Sequence, residues 1–133
     1  MQKLFAFGTI LFLMQLPAFA EDKPDCENGS QAELNFCAYA DFKKADDELN
    51  RFWPQVKKFA ANGDADLESD QQGYAKALLA SQRGWLAYRD GQCALYGFQS
   101  HGGSMESMLV SGCKADLTKK RIKELHDIVD GQN

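Results

Sequence analysis

Ala38, Phe42, Ala45, Leu49, Phe52, Val56 and Phe59 follow one another at steps of four and three. That spacing puts seven apolar side chains on one face of a single long helix. A stripe of this length must be covered, and the rest of the chain offers helices to cover it. Lys43, Lys44, Asp47, Glu48, Arg51 and Lys58 fill most of the wet side. Ser30 with Glu33 three residues on reads as a capping box, so the helix runs from about Gln31 to Ala61. Pro54 lacks an N–H and is expected to kink the helix or restart it near Trp53.

The acidic break Asn62-Gly63-Asp64-Ala65-Asp66 separates this helix from a second, from about Asp70 to Tyr96, with Ser69 as its cap. Tyr74, Ala77, Leu78, Ser81, Trp85, Tyr88 and Gln92 share a face there. Gly84 either weakens the middle or allows a close helix contact. After a break at Gly97 to Gly103, a third helix runs from about Ser104 to Val129. Its stripe is Met105, Met108, Leu109, Gly112, Ile122, Leu125 and Val129. Gly112 can divide it, and Gly131 can end it. No segment alternates at period two. The expected fold class is therefore all-α, a small antiparallel bundle of about three long helices, since short connections make neighbours antiparallel.

The N-terminus has a different character. Lys3 is followed by an apolar run from Leu4 to Leu16, then Pro17 and the small-residue site Ala18-Phe19-Ala20. This is the pattern of a secretory signal peptide over residues 1–20. The run is too short for a spanning helix, which needs about 20 apolar residues. The expected mature chain is a single domain, residues 21–133, periplasmic or secreted. No cysteine follows the cleavage site, so no membrane anchor is expected after cleavage. The full chain carries a net charge of −4, and losing Lys3 with no acid takes it to −5. An acidic domain does not suit nucleic acid or an anionic membrane surface, and it suits a basic partner.

Cys26, Cys37, Cys93 and Cys113 all lie in the mature part. An even count in an exported chain implies two disulfides. No Cys-x-x-Cys pair is present, which argues against zinc, and no metal or cofactor is expected. In an antiparallel arrangement the four cysteines gather at one end. The local pairing Cys26–Cys37 with Cys93–Cys113 closes small loops and is favoured. Cys37 lies 24 residues before Ala61 and Cys93 lies 24 after Ser69, so those two are level and could pair instead. Four cysteines allow three connectivities.

Catalytic equipment is sparse. The histidines are His101, in a loop beside Gly102 and Gly103, and His126, near a helix C-terminus where a charged imidazole favours the dipole. Nothing around Ser100 or Ser104 resembles a nucleophile elbow. Asp46, Asp47 and Glu48 are adjacent and point in different directions, as on a solvated face. Gly102-Gly103-Ser104 at a helix start could hold an anion, although a plain turn and cap explain it. Asn28-Gly29-Ser30 matches a glycosylation sequon and reads as a turn behind a bacterial-looking signal. The chain is expected not to be an enzyme.

The densest stretch is Gln82-Arg83-Gly84-Trp85-Leu86-Ala87-Tyr88-Arg89-Asp90-Gly91-Gln92-Cys93. Trp85, Arg89 and Cys93 lie one turn apart. Trp85 and Arg89 can stack, and Arg89 can pair with Asp46 or Asp47 on the neighbouring helix. Read structurally, this is an indole in the core and an arginine tying two helices. Read functionally, Trp85, Tyr88, Arg89 and Asp90 form a binding patch, with His101 and Ser104 as a second candidate in the His101 to Ser107 loop.

The same residues carry a resemblance. Cys26, Ala32-Glu33 with Cys37, and Ala45-Asp46 with Leu49-Asn50 are joined by Gln82, Trp85, Tyr88-Arg89-Asp90 and Cys93. Gly102-Gly103-Ser104, Cys113, and Leu117-Thr118 with Arg121 and Leu125 complete the set. Together they resemble the LprI-type lysozyme inhibitor family of bacterial exported proteins, over nearly the whole mature chain. The resemblance implies an all-helical, disulfide-bonded exported domain that binds a lysozyme-like or other wall-lytic protein. A basic enzyme and an acidic inhibitor are electrostatically matched. A structural or stress-related periplasmic module, or an immunity protein, is the alternative function.

Overall fold

The computed structural model describes residues 23–131. The signal peptide read at residues 1–20 lies outside them. Three long helices follow in order: α1 (Gln31–Ala65), α2 (Tyr74–Gly97) and α3 (Glu106–Val129), with a single 3-10 turn, Phe98–Ser100, after α2. There is no strand among the described residues. Asn35 reaches Ser104, Asp41 reaches Lys119, and Phe52 stacks on His126, so α1 and α3 ascend together. Arg89 of α2 meets Asp46 and Thr118 on its way down between them. The fold is an up-down-up bundle, all-α as the periodicity predicts.

Burial follows the stripes. Leu49, Phe52, Val56 and Ala60 of α1 close on Leu78 of α2 and on Ile122 and Leu125 of α3, with Trp53, Ala75, Trp85 and Val129 packed round them. On α2, however, the inward face is rotated from the expected one. It runs Ala75, Leu78, Gln82, Trp85, Arg89, Cys93, Gly97, again at steps of three and four, while Tyr88 and Gln92 are exposed. Arg89 replaces an apolar residue at the centre of that stripe, and this misleads a reading based on hydrophobicity alone.

The helix ends differ from expectation in three places. First, α1 runs through Pro54 without restarting and continues through Asn62-Gly63-Asp64 to Ala65. Pro54 is exposed, so the carbonyl it leaves unpaired faces water, and Phe52 and Val56 hold both halves against the same core. Second, α2 begins at Tyr74, and Ser69 does not cap it. The Asp64 carboxylate accepts hydrogen bonds from the backbone N–H groups of Gly73, Tyr74 and Ala75 at 2.7–2.9 Å, so the end of α1 caps the start of α2. Those bonds hold the Asp64 carboxyl below its ordinary pKa, Gly73 contributing most. Third, α3 begins at Glu106 and passes unbroken through Gly112. The capping box at Ser30 and Glu33 forms as read. The positive φ of Gly131 (71°) follows the end of α3.

Gly84 marks no close contact, because a Cβ there would meet nothing within 4 Å. The close approach is at Gly97, where a Cβ would collide with Val110 of α3. The cysteines pair locally, Cys26–Cys37 and Cys93–Cys113, and none is free. The first bridge folds the N-terminal turn onto α1. The second ties the end of α2 to α3. No described helix is long and apolar enough to cross a membrane.

Candidate functional site

Arg89 organises the middle of the bundle. It is only 7% exposed. Its Nη1 donates to Asp46 Oδ1 at 3.0 Å and to Thr118 Oγ1 at 3.3 Å, and its Nε donates to Asp90 Oδ1 at 3.1 Å. Thr118 is completely buried. The guanidinium lies 5.1 Å from the centre of the Trp85 ring and 5.2 Å from that of Phe42. One side chain thus touches all three helices, and every polar contact it makes is internal. Partial burial raises the Asp90 carboxyl, but hydrogen bonds from Lys114 and Arg89 outweigh this and hold it below its ordinary value.

Arg121 is a second internal arginine, also over the Trp85 ring at 5.8 Å. It donates to Gln82, Ser81 and Glu124 at 3.0–3.1 Å. Sequence reasoning gave it no separate role. Its signal was present: it follows Thr118 by three residues and directly precedes Ile122 on the buried side of α3.

Trp85, Arg89 and Asp90 are therefore together. Tyr88 is apart from them, 55% exposed, on the wall of a groove of about 430 Å³ between α2 and α3. His101 and Ser104 share the loop between α2 and α3, at the disulfide end. The His101 ring stacks on Phe98 at a centroid distance of 4.4 Å, and its Nδ1 lies 3.1 Å from Glu106 Oε1. Glu106 Oε2 accepts the Gly102 N–H at 2.8 Å. The Gly102 bond, and then that of His101, hold the Glu106 carboxyl below its ordinary pKa. Gly102 has φ +73°, a conformation that favours glycine. The glycine turn thus receives an anion from its own chain, Glu106. The Ser104 carbonyl accepts from Asn35 Nδ2 at 2.9 Å, tying the loop to α1. Around this braced loop Leu95, Phe98 and Met105 are exposed at 67%, 62% and 43%. Phe98 to Met105 is thus an exposed edge with an apolar side chain at either end. Among the described residues no three His, Cys, Asp or Glu side chains cluster as metal donors.

The lysozyme inhibitor LprI family model matches residues 24–125, a span that takes in both disulfides, the Arg89 centre and the His101 loop. The chain belongs to the LprI lysozyme inhibitor family. It is also 45% identical over 127 residues to the uncharacterized protein R02472 of Rhizobium meliloti (strain 1021), covering 92% of this chain and 91% of that one. No solved structure matches. Of the family residues quoted from the sequence, Trp85, Arg89, Thr118, Arg121 and Leu125 make the interior. Cys26, Cys37, Cys93 and Cys113 brace the end that carries the Gly102-Gly103-Ser104 loop.

Proposed function

We propose that this chain is an exported, non-enzymatic protein that binds and inhibits a lysozyme or a related wall-lytic enzyme. Membership of the inhibitor family across the whole disulfide-bonded bundle is the observation that carries this reading. Two disulfides support the exported location. An acidic chain also suits steering toward a basic enzyme. Of the candidate residues, the exposed ones on the Phe98–Met105 edge, His101 foremost, are suited to contact the enzyme. Trp85 and Arg89 are engaged inside the protein, and Asp90, at its surface, pairs with Arg89 and Lys114; the three serve to hold the bundle behind that edge.

Titration of purified mature protein against several lysozyme classes tests the reading, with loss of lytic activity at micromolar protein as the expected result. Inhibition of none of them would overturn it. His101→Ala and Phe98→Ala are expected to weaken inhibition with only a small fall in melting temperature, since both rings are largely exposed. Because Arg89 has only internal partners, a structural periplasmic module is the second reading. It gains if the protein inhibits no lytic enzyme and co-purifies with none from an envelope extract.

A further inference from the structure

The groove between α2 and α3 is not used by the reading above. Its α2 wall is Tyr88, Gln92 and Tyr96, one turn apart each, and its α3 wall is Met108, Gly112, Asp116 and Lys120, again one turn apart. At 1.5 Å per residue the α2 wall is about 12 Å long and the α3 wall about 18 Å. Three observations bear on what would lie in it.

Tyr88 and Tyr96 are 55% and 43% exposed, so each presents an apolar ring with a phenolic hydroxyl at its rim. Asp116 and Lys120 stand at i,i+4 in the favourable order, acid before base. Yet among the described residues neither makes an ion pair or a hydrogen bond. Lys43–Asp47 and Lys123–Asp127, in the less favourable order, both pair. Gly112 sits in mid-helix, where glycine is about 1 kcal/mol worse than alanine, and a Cβ there would meet nothing within 4 Å. The missing side chain relieves no internal clash. Its effect is to keep the groove open.

Aromatic rings interleaved with an amide, a carboxylate and an ammonium group suit a ligand with an apolar face and a polar rim. A helix from a second copy that laid an apolar face in the groove would cover Asp116 and Lys120 without giving them partners. An acyl chain would leave the same groups without partners. The geometry points to a short oligosaccharide of N-acetylated amino sugars as the occupant, its ring faces on Tyr88 and Tyr96 and its hydroxyl and amide groups on Gln92, Asp116 and Lys120. The acetyl methyl groups find apolar cover at Met108 and Leu109, which continue the groove.

An amide-resolved NMR titration of the mature protein tests this, with chitotetraose and with the N-acetylglucosamine–N-acetylmuramic acid disaccharide as probes. Shifts are expected to concentrate on Tyr88, Gln92, Gly112 and Asp116. Tyr88→Ala and Tyr96→Ala are expected to weaken binding about tenfold. Gly112→Leu fills the groove, improves the helix former at that position, and is expected to abolish binding with no fall in melting temperature. Lys120→Gln is expected to weaken the acidic disaccharide and leave chitotetraose unchanged, which separates its two sources of affinity. No saccharide shifts, shifts outside the groove, or shifts that survive Gly112→Leu would overturn the assignment. Concentration-dependent groove shifts without sugar would also overturn it, in favour of a second copy. No lytic enzyme is present in this titration, so its failure leaves the inhibitor reading intact, and failure of inhibition leaves this one intact.

Discussion

Arg89 carries more of the structure than any other polar residue, because its partners come from all three helices. Replacing it with alanine leaves the buried Thr118 hydroxyl without this donor, leaves Asp46 with only the Asn50 amide at 3.2 Å, and uncovers the Trp85 and Phe42 rings. Removing one member of a buried pair is costly because the other stays behind, partly desolvated. The Asp46 side chain is 30% exposed, so water recovers some of this. Arg89→Ala is expected to lower unfolding stability by about 2–3 kcal/mol, read from urea denaturation. A loss below about 0.5 kcal/mol, the size of a surface pair, would mean that the guanidinium is a poised binding group and not a tie. An Arg89 pair with Asp46 or Asp47 and the Trp85 stack were legible in the sequence, since Trp85 and Arg89 are one turn apart and the acids lie on the neighbouring helix. The orientation of Tyr88 was not. Its ring counts as apolar in a periodicity argument, and only the placement of Arg89 inside the bundle turns Tyr88 out.

At the scale of the helix, the stripes were readable and the ends were less so. A helix start is commonly marked by a nearby Ser, Thr, Asp or Asn, which is why Ser30 was found. The cap of α2 lies nine residues upstream of Gly73, on another helix, where a local pattern cannot reach it. Asp64 binds three N–H groups as a carboxylate, and its pKa is depressed in the folded chain. A depressed pKa means stability that is present above the unfolded-state value and lost as pH falls through the folded-state value. Asp64→Ala is therefore expected to melt several degrees lower than the parent at pH 7, with the two curves converging as pH falls below the ordinary carboxylate range. A gap that persists unchanged into acid would remove the capping role. The glycines give a test of opposite signs. Gly84→Ala fills open space in an exposed helix interior and is expected to stabilise by about 1 kcal/mol. Gly97→Ala drives a methyl into Val110 where α2 and α3 touch, and is expected to destabilise by about 1–3 kcal/mol. Chemical denaturation of the two variants decides whether the close contact was assigned to the right glycine.

Over the whole molecule the bridges divide the labour unequally. A domain of this size has a modest core, and net stability is normally about 5–15 kcal/mol, so one bridge is a large share of the total. Sequence could count the cysteines and favour the local pairing, but the level positions of Cys37 and Cys93 kept a second pairing open until the helices were placed. Cys93 is fully buried and its bridge joins α2 to α3 across 20 residues, beside the Gly97–Val110 contact that sets the loop. Cys26–Cys37 spans 11 residues and secures a turn at the surface. Closing the longer loop removes somewhat more entropy from the unfolded chain, about 3 kcal/mol on a chain-entropy model, and the difference between the two loops is a few tenths. The larger difference is in the native state: losing Cys93–Cys113 frees the base of the Phe98–Met105 edge, while losing Cys26–Cys37 frees only the N-terminal turn. A Cys93→Ser, Cys113→Ser double variant is expected to fall furthest in melting temperature and to lose inhibition of a lytic enzyme. The Cys26→Ser, Cys37→Ser double variant is expected to melt above it and keep the edge. Alkylation of the parent without reductant is expected to add no label to the intact mass. Equal melting losses in the two double variants would mean that the bridges act through chain entropy alone, and the second bridge would then have no special part in holding the edge.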